Sequence, residues 1–168
     1  MFFRWRKGGP EPAQGGGSSH PEQLLVDAHS GLYQSWYFER RVREEAARCA
    51  RCGHGFALMV FEPRLLPGEL LTDDVVSEAA EVIRSGIRKI DLAGRLDRNR
   101  FAALLIEAGY GVARSANHRL KADLGQKART GSVPWRGAFA VFPNDGLDFD
   151  VLLEVAGRRL NDDMRAAA

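Results

Sequence analysis

Leu92-Ala93-Gly94-Arg95-Leu96-Asp97-Arg98-Asn99-Arg100-Phe101-Ala102-Ala103-Leu104-Leu105-Ile106 sets two short apolar segments around four polar residues. Such runs predict two antiparallel strands joined by a turn at Asp97–Arg100. Working outward, Phe56–Phe61 is continuously apolar, as a strand covered on both faces must be. Trp135–Phe142 reads as a further strand, closed by Pro143-Asn144-Asp145-Gly146.

Helical periodicity fills the intervals. Trp36 to about Cys52 places Phe38, Val42, Ala46 and Cys49 on one face and a row of Arg and Glu on the other. Thr72 and Asp73 cap a helix reaching about Ile87. Further helices are expected near Val112–Asp123 and from Asp148 through Leu160, and Ser19, Pro21 and Glu22 resemble another helix start. The order is helix, strand, helix, hairpin, helix, strand, helix. It implies an α/β fold of the α+β type, with a mixed or antiparallel sheet and helices on its faces.

Composition bounds the function. A length of 168 residues suits one domain. Residues 1–19 form a Gly- and Pro-rich stretch expected to be a flexible tail, and 20–168 form the domain. The basic, aromatic Phe2–Lys7 could touch a membrane surface, but it is too short to anchor alone, and a disordered start is the expectation. A net charge of +2, from 24 basic and 22 acidic residues, provides no general attraction to nucleic acid. No apolar run matches a membrane span and no signal-peptide core is present, so a cytoplasmic location is expected.

Asp27–Tyr33, Phe56–Glu62, Asp97–Phe101 and Ala140–Gly146, in this order and spacing, resemble the GGDEF family, whose domains make cyclic di-GMP from two GTP. Asp27-Ala28-His29-Ser30-Gly31-Leu32-Tyr33 resembles the family's opening Asp-x-Leu-Thr-Gly-Leu turn, and Tyr37, Phe38 and Glu39 its first helix. Phe56–Glu62 is similar to the first core strand, which ends in a metal-binding acid. The signature falls on Asp97-Arg98-Asn99-Arg100-Phe101, and Ala140–Gly146 resembles the late strand and its turn. The resemblance runs from Asp27 to about Arg165. It implies a central mixed, mostly antiparallel sheet of about five strands, of the nucleotidyl-cyclase palm-like kind.

The departures from the family lie in the chemistry. Two glycines of the signature let backbone amides approach a triphosphate, and here they are Asp97 and Arg98. The next two acids help to hold divalent ions, and here they are Asn99 and Arg100; an arginine cannot ligate magnesium. Glu62 keeps a vestigial carboxylate, but the next acid of that strand has become Arg64. The connection between Glu62 and Asp73 lacks the family's guanine-reading Asn. Asp73 matches a guanine-contacting acid, although a first-turn helix acid is the simpler reading. The phosphate-binding Lys of the last helix falls near Met164, beside Arg165. The expectation is a degenerate domain without catalytic residues, bound metal or required cofactor.

One ligand site of the family has a counterpart. An Arg-x-x-Asp placed five residues before the signature forms its inhibitory product site, and Arg88-Lys89-Ile90-Asp91 stands there. A guanidinium can bond O6 and N7 of guanine while a carboxylate accepts from the base N–H groups. With 20 Arg and 11 Asp in the chain, chance alone gives about one such match. A second occurs at Arg159–Asp162, so position rather than pattern carries the weight. Arg95 either adds charge to this site or is simply exposed. The alternative for Arg88 and Asp91 is a solvated arginine and an acid kept for structure.

Cys49 and Cys52, with His54, offer a Cys-x-x-Cys pair, but there is no second pair to complete a zinc site, and His20, His29 and His118 are distant in sequence. Local packing is the expectation. The combined reading is an inactive regulatory module that binds cyclic di-GMP and modulates an unidentified protein partner, with ligand-linked homodimerisation as a mechanism. The rival is a nucleotide-independent interaction or scaffold module that kept only the fold. Family members usually carry an upstream sensory domain, so input is expected to come through a bound ligand or a second protein.

Overall fold

In the computed structural model, residues 25–66, 68–127 and 133–165 are described. The expected tail at 1–19 and the helix start at Ser19 lie outside them. Nine elements follow in order: β1 (Tyr33–Gln34), α1 (Ser35–Cys52), β2 (Phe56–Pro63), α2 (Asp73–Gly86), β3 (Leu92–Arg95), β4 (Phe101–Ile106), α3 (Tyr110–Lys127), β5 (Trp135–Phe142) and α4 (Phe149–Arg165). The strands form one sheet in the order β1-β3-β4-β2-β5. β1 and β3 are parallel and every other pairing is antiparallel, so the sheet is mixed and mostly antiparallel.

The continuous apolar character of β2 has a direct cause. Its odd residues Ala57, Met59 and Phe61 join a core with α2 and α3. Its even residues Phe56, Leu58 and Val60 join a second core with α1 and α4. Side chains alternate along a strand, so a sheet covered on both faces must be apolar at every position. β4 divides the same way, with Phe101, Ala103 and Leu105 on one face and Ala102 and Leu104 on the other. Each fully buried Phe or Leu adds roughly 1.5–3 kcal/mol.

The helices match the expected stripes. α1 buries Phe38, Val42, Ala46 and Cys49, and ends where Gly53, at φ 70°, donates its N–H to the Cys49 carbonyl. α2 begins where the Thr72 hydroxyl accepts from Val75 N, with Asp73 and Asp74 in its first turn. Two boundaries differ from expectation. α3 starts at Tyr110 and runs to Lys127, beyond the expected Val112–Asp123. β1 lay hidden in the Asp27–Tyr33 turn, because two residues are too few to show any periodicity.

Candidate functional site

The expected β3–β4 hairpin forms, with Arg95 opposite Phe101. Leu96 N–H donates to the Arg100 carbonyl at 2.9 Å and closes the turn. Within it, one Asp97 oxygen accepts from Asn99 N at 3.0 Å and from Arg100 N at 2.9 Å. The other oxygen accepts from Arg100 Nε at 2.6 Å. The turn therefore carries its own anion, seated on two successive backbone amides. A nucleotide phosphate would have to compete with that carboxylate.

The remaining side chains are equally engaged. Asn99 Oδ1 accepts from Leu71 N at 3.2 Å, and its Nδ2 donates to the Glu69 carbonyl at 3.3 Å. This two-bond bridge ties the turn to the loop before α2. Arg95 donates to the carbonyls of Asp97 and Arg98 at 3.1 and 2.9 Å, and to Asp27 Oδ1 at 2.9 Å. Burial pushes the Asp27 carboxyl up, but hydrogen bonds from Arg95 and Ser30 outweigh that and hold it below its ordinary value. Arg98 is exposed at the tip.

Glu62 sits at the end of β2 opposite Arg136 of β5. Its Oε1 accepts from Arg136 Nη2 at 2.9 Å, and Arg136 is buried, with Nε and Nη1 lacking any partner. A divalent ion needs several hard anionic oxygens. Here the Glu62 carboxylate faces a guanidinium, the Asp97 carboxylate of the neighbouring turn is held by Arg100 and two backbone amides, and the Asn99 amide bridges to the loop before α2, so these residues do not fit such an ion. Among the described residues, no group of three or more His, Cys, Asp or Glu could hold a metal.

Asp73 is exposed and pairs with His29, Nδ1 to Oδ1 at 3.1 Å. Both line a cleft of about 500 Å³ together with Asp97 and Arg98. The Met164 and Arg165 side chains lie outside the described residues. Cys49 is buried and its thiol contacts Glu45 at 3.4 Å, whereas Cys52 is exposed. Burial, then the Glu45 carboxylate, pushes the Cys49 thiol up to about 11, which makes it a poor nucleophile.

Arg88 and Asp91 come together at the far end of β3 from the turn. Asp91 is buried, accepting from Arg88 N at 2.8 Å and from Ile106 N at 3.0 Å. A carboxylate has about four acceptor positions, so two remain. Both residues line a cleft of about 890 Å³ against α3 and another of about 590 Å³ against Val26–Tyr33. Arg95 lines neither; it belongs to the smaller cleft beside the turn. Arg119 of α3 does line the larger cleft, with Nη2 bonded to the Gly86 carbonyl at 2.6 Å. Sequence reasoning missed Arg119, because no spacing rule links it to Arg88. It likewise missed Arg136, whose partner Glu62 lies 74 positions away.

Comparison with known proteins gives a consistent family and fold. The family model described as diguanylate cyclase, GGDEF domain matches residues 24–166. No curated protein sequence matches. Among solved structures, the GGDEF domain of DgcB from Caulobacter crescentus in complex with c-di-GMP superimposes with a TM-score of 0.76 at 16% identity, over 93% of this chain and 95% of that one. A sensory box/GGDEF family protein from Caulobacter crescentus CB15 gives 0.74 at 19%, over 84% and 99%. The FimX GGDEF domain from Pseudomonas aeruginosa gives 0.74 at 17%, over 84% and 94%. At these identities the likeness is one of fold.

Proposed function

The chain belongs to the GGDEF, diguanylate cyclase family, and from that premise we propose that it is an inactive member that binds cyclic di-GMP at Arg88 and Asp91. In this reading it is a cytoplasmic regulatory module, and ligand binding changes its contacts with a protein partner or a second copy. One contrast carries the proposal. The charged groups of the signature turn neutralise one another, apart from exposed Arg98, whereas the Arg88 guanidinium pairs with no described residue and Arg88 lines two clefts.

The chemistry of each half supports the reading. Cyclase activity requires a triphosphate on the signature amides and divalent ions beside them. Asp97 already holds the amides of Asn99 and Arg100, and Arg136 holds Glu62. At the other end, Arg88 bonds a guanine edge and Asp91 accepts from the base through its remaining positions. Arg119 adds a second cation to the same cleft for the phosphodiester anions. Related structures include a GGDEF domain in complex with c-di-GMP.

A nucleotide-independent scaffold is the competing reading, and one observation favours it. Both Asp91 oxygens already serve backbone amides, a role sufficient to explain the residue. Titration calorimetry with cyclic di-GMP separates the two. The receptor reading expects micromolar binding that Arg88→Ala weakens at least about tenfold, an effect of about 1.4 kcal/mol, with folding retained. Absence of heat and of thermal shift at high ligand concentration refutes it and leaves the scaffold.

A further inference from the structure

The Arg88 site has a second arm that reaches residues 26–34, the entering segment of the described fold. The cleft of about 590 Å³ lies between the end of α2 and that segment, with Arg84 and Arg88 on one side and Val26, Gly31 and Tyr33 on the other. The segment folds largely on itself. Val26 bridges Tyr33, Asp27 N–H donates to the Leu32 carbonyl, and Gln34 N–H donates to the Leu25 carbonyl. Its contacts with the body include buried Leu32, the Asp27–Arg95 pair, the exposed His29–Asp73 pair, the Tyr33–Tyr37 ring contact and two register positions with β3. Arg84 of α2 leans over it, with Nη1 3.4 Å from where a Cβ on Gly31 would stand, and Gly31 holds φ +64°.

Resting on the ligand reading above, we propose that this arm makes the Arg88 site a regulator of the entering segment. A cyclic dinucleotide held by Arg88 spans from α2 to Val26–Tyr33 and fastens that segment against the domain. A ligand that contacts only the fastened arrangement shifts the population towards it by the difference in its affinities. Linkage then requires the converse, so loosening the segment weakens the ligand. A two-residue strand is the element of this sheet best suited to such a role, because local opening there breaks few hydrogen bonds.

Hydrogen exchange on the full chain, with and without saturating cyclic di-GMP, tests the proposal alongside calorimetry. The expected result is exchange about tenfold slower at residues 26–34, beyond any change in the central amides of β2. Arg88→Ala should abolish both the heat and that protection. If heat is seen while residues 26–34 exchange unchanged, the coupling is overturned and the receptor reading stands. If the wild type gives no heat, the receptor reading fails and the coupling fails with it.

Discussion

At the scale of single residues, the side chains of the Asp97–Arg100 turn carry structural roles. The Asp97 carboxylate organises the turn from within, accepting from two of its backbone amides and from Arg100 Nε. Asn99 donates to one carbonyl and accepts from one amide of the neighbouring loop. An aspartate there could accept but not donate, so the amide is specific to this bridge. Asp145 shows the same economy elsewhere. It accepts two bonds from Arg159 at 2.8 Å, one from Tyr110 at 2.5 Å, and one from Val141 N. Burial pushes its carboxyl up, but hydrogen bonds from Arg159, Tyr110 and Val141 hold it at about 2. A depressed carboxyl contributes stability above its unfolded value and loses it as pH falls through the folded one. With Arg159 partly in water, screening brings that contribution to about 1 kcal/mol. The urea stability gap between wild type and Asp145→Asn should therefore close as pH falls from about 4 towards 2. A gap independent of pH would contradict this.

At the scale of elements, close packing between α1 and the hairpin positions the site. Gly94 lies on β3 beneath Phe38, which is fully buried, and a Cβ there would stand 2.5 Å from the ring carbon Cγ. Gly94→Ala should cost about 1–3 kcal/mol by overpacking, read as a lower urea midpoint with an unchanged slope. An unchanged midpoint would show that α1 shifts freely. The four longer strands and the four helices were legible because two-sided burial and helical stripes leave strong periodic signals. The hairpin turn was legible too, from Asp97–Arg100 set between two apolar runs. Two-residue β1 left no signal, and neither did the first turn of α3, where Tyr110 and Val112 are exposed and Gly109 and Gly111 interrupt any stripe. Candidate site residues were legible by type and order. Their partners were not, because Glu62–Arg136 and Asp27–Arg95 join positions 74 and 68 apart. This explains why Arg95 could be considered for the ligand site: its position near the motif was visible, but its three bonds to the turn and Asp27 were not.

At the scale of the whole molecule, the account assigns opposite states to the two ends of β3. The signature end is filled by the protein's own charges, and the Arg88 end is open to a ligand. Its central claim is that a domain with the diguanylate cyclase fold has exchanged synthesis of cyclic di-GMP for its recognition. Among the described residues no helix is long and apolar enough to cross a membrane. Incubation with GTP and magnesium, followed by chromatography of the nucleotides, tests the claim most directly. The account predicts that GTP is recovered and no cyclic di-GMP forms, even at high enzyme concentration and long times. Formation of cyclic di-GMP by the wild-type chain, lost in Glu62→Gln, would contradict it.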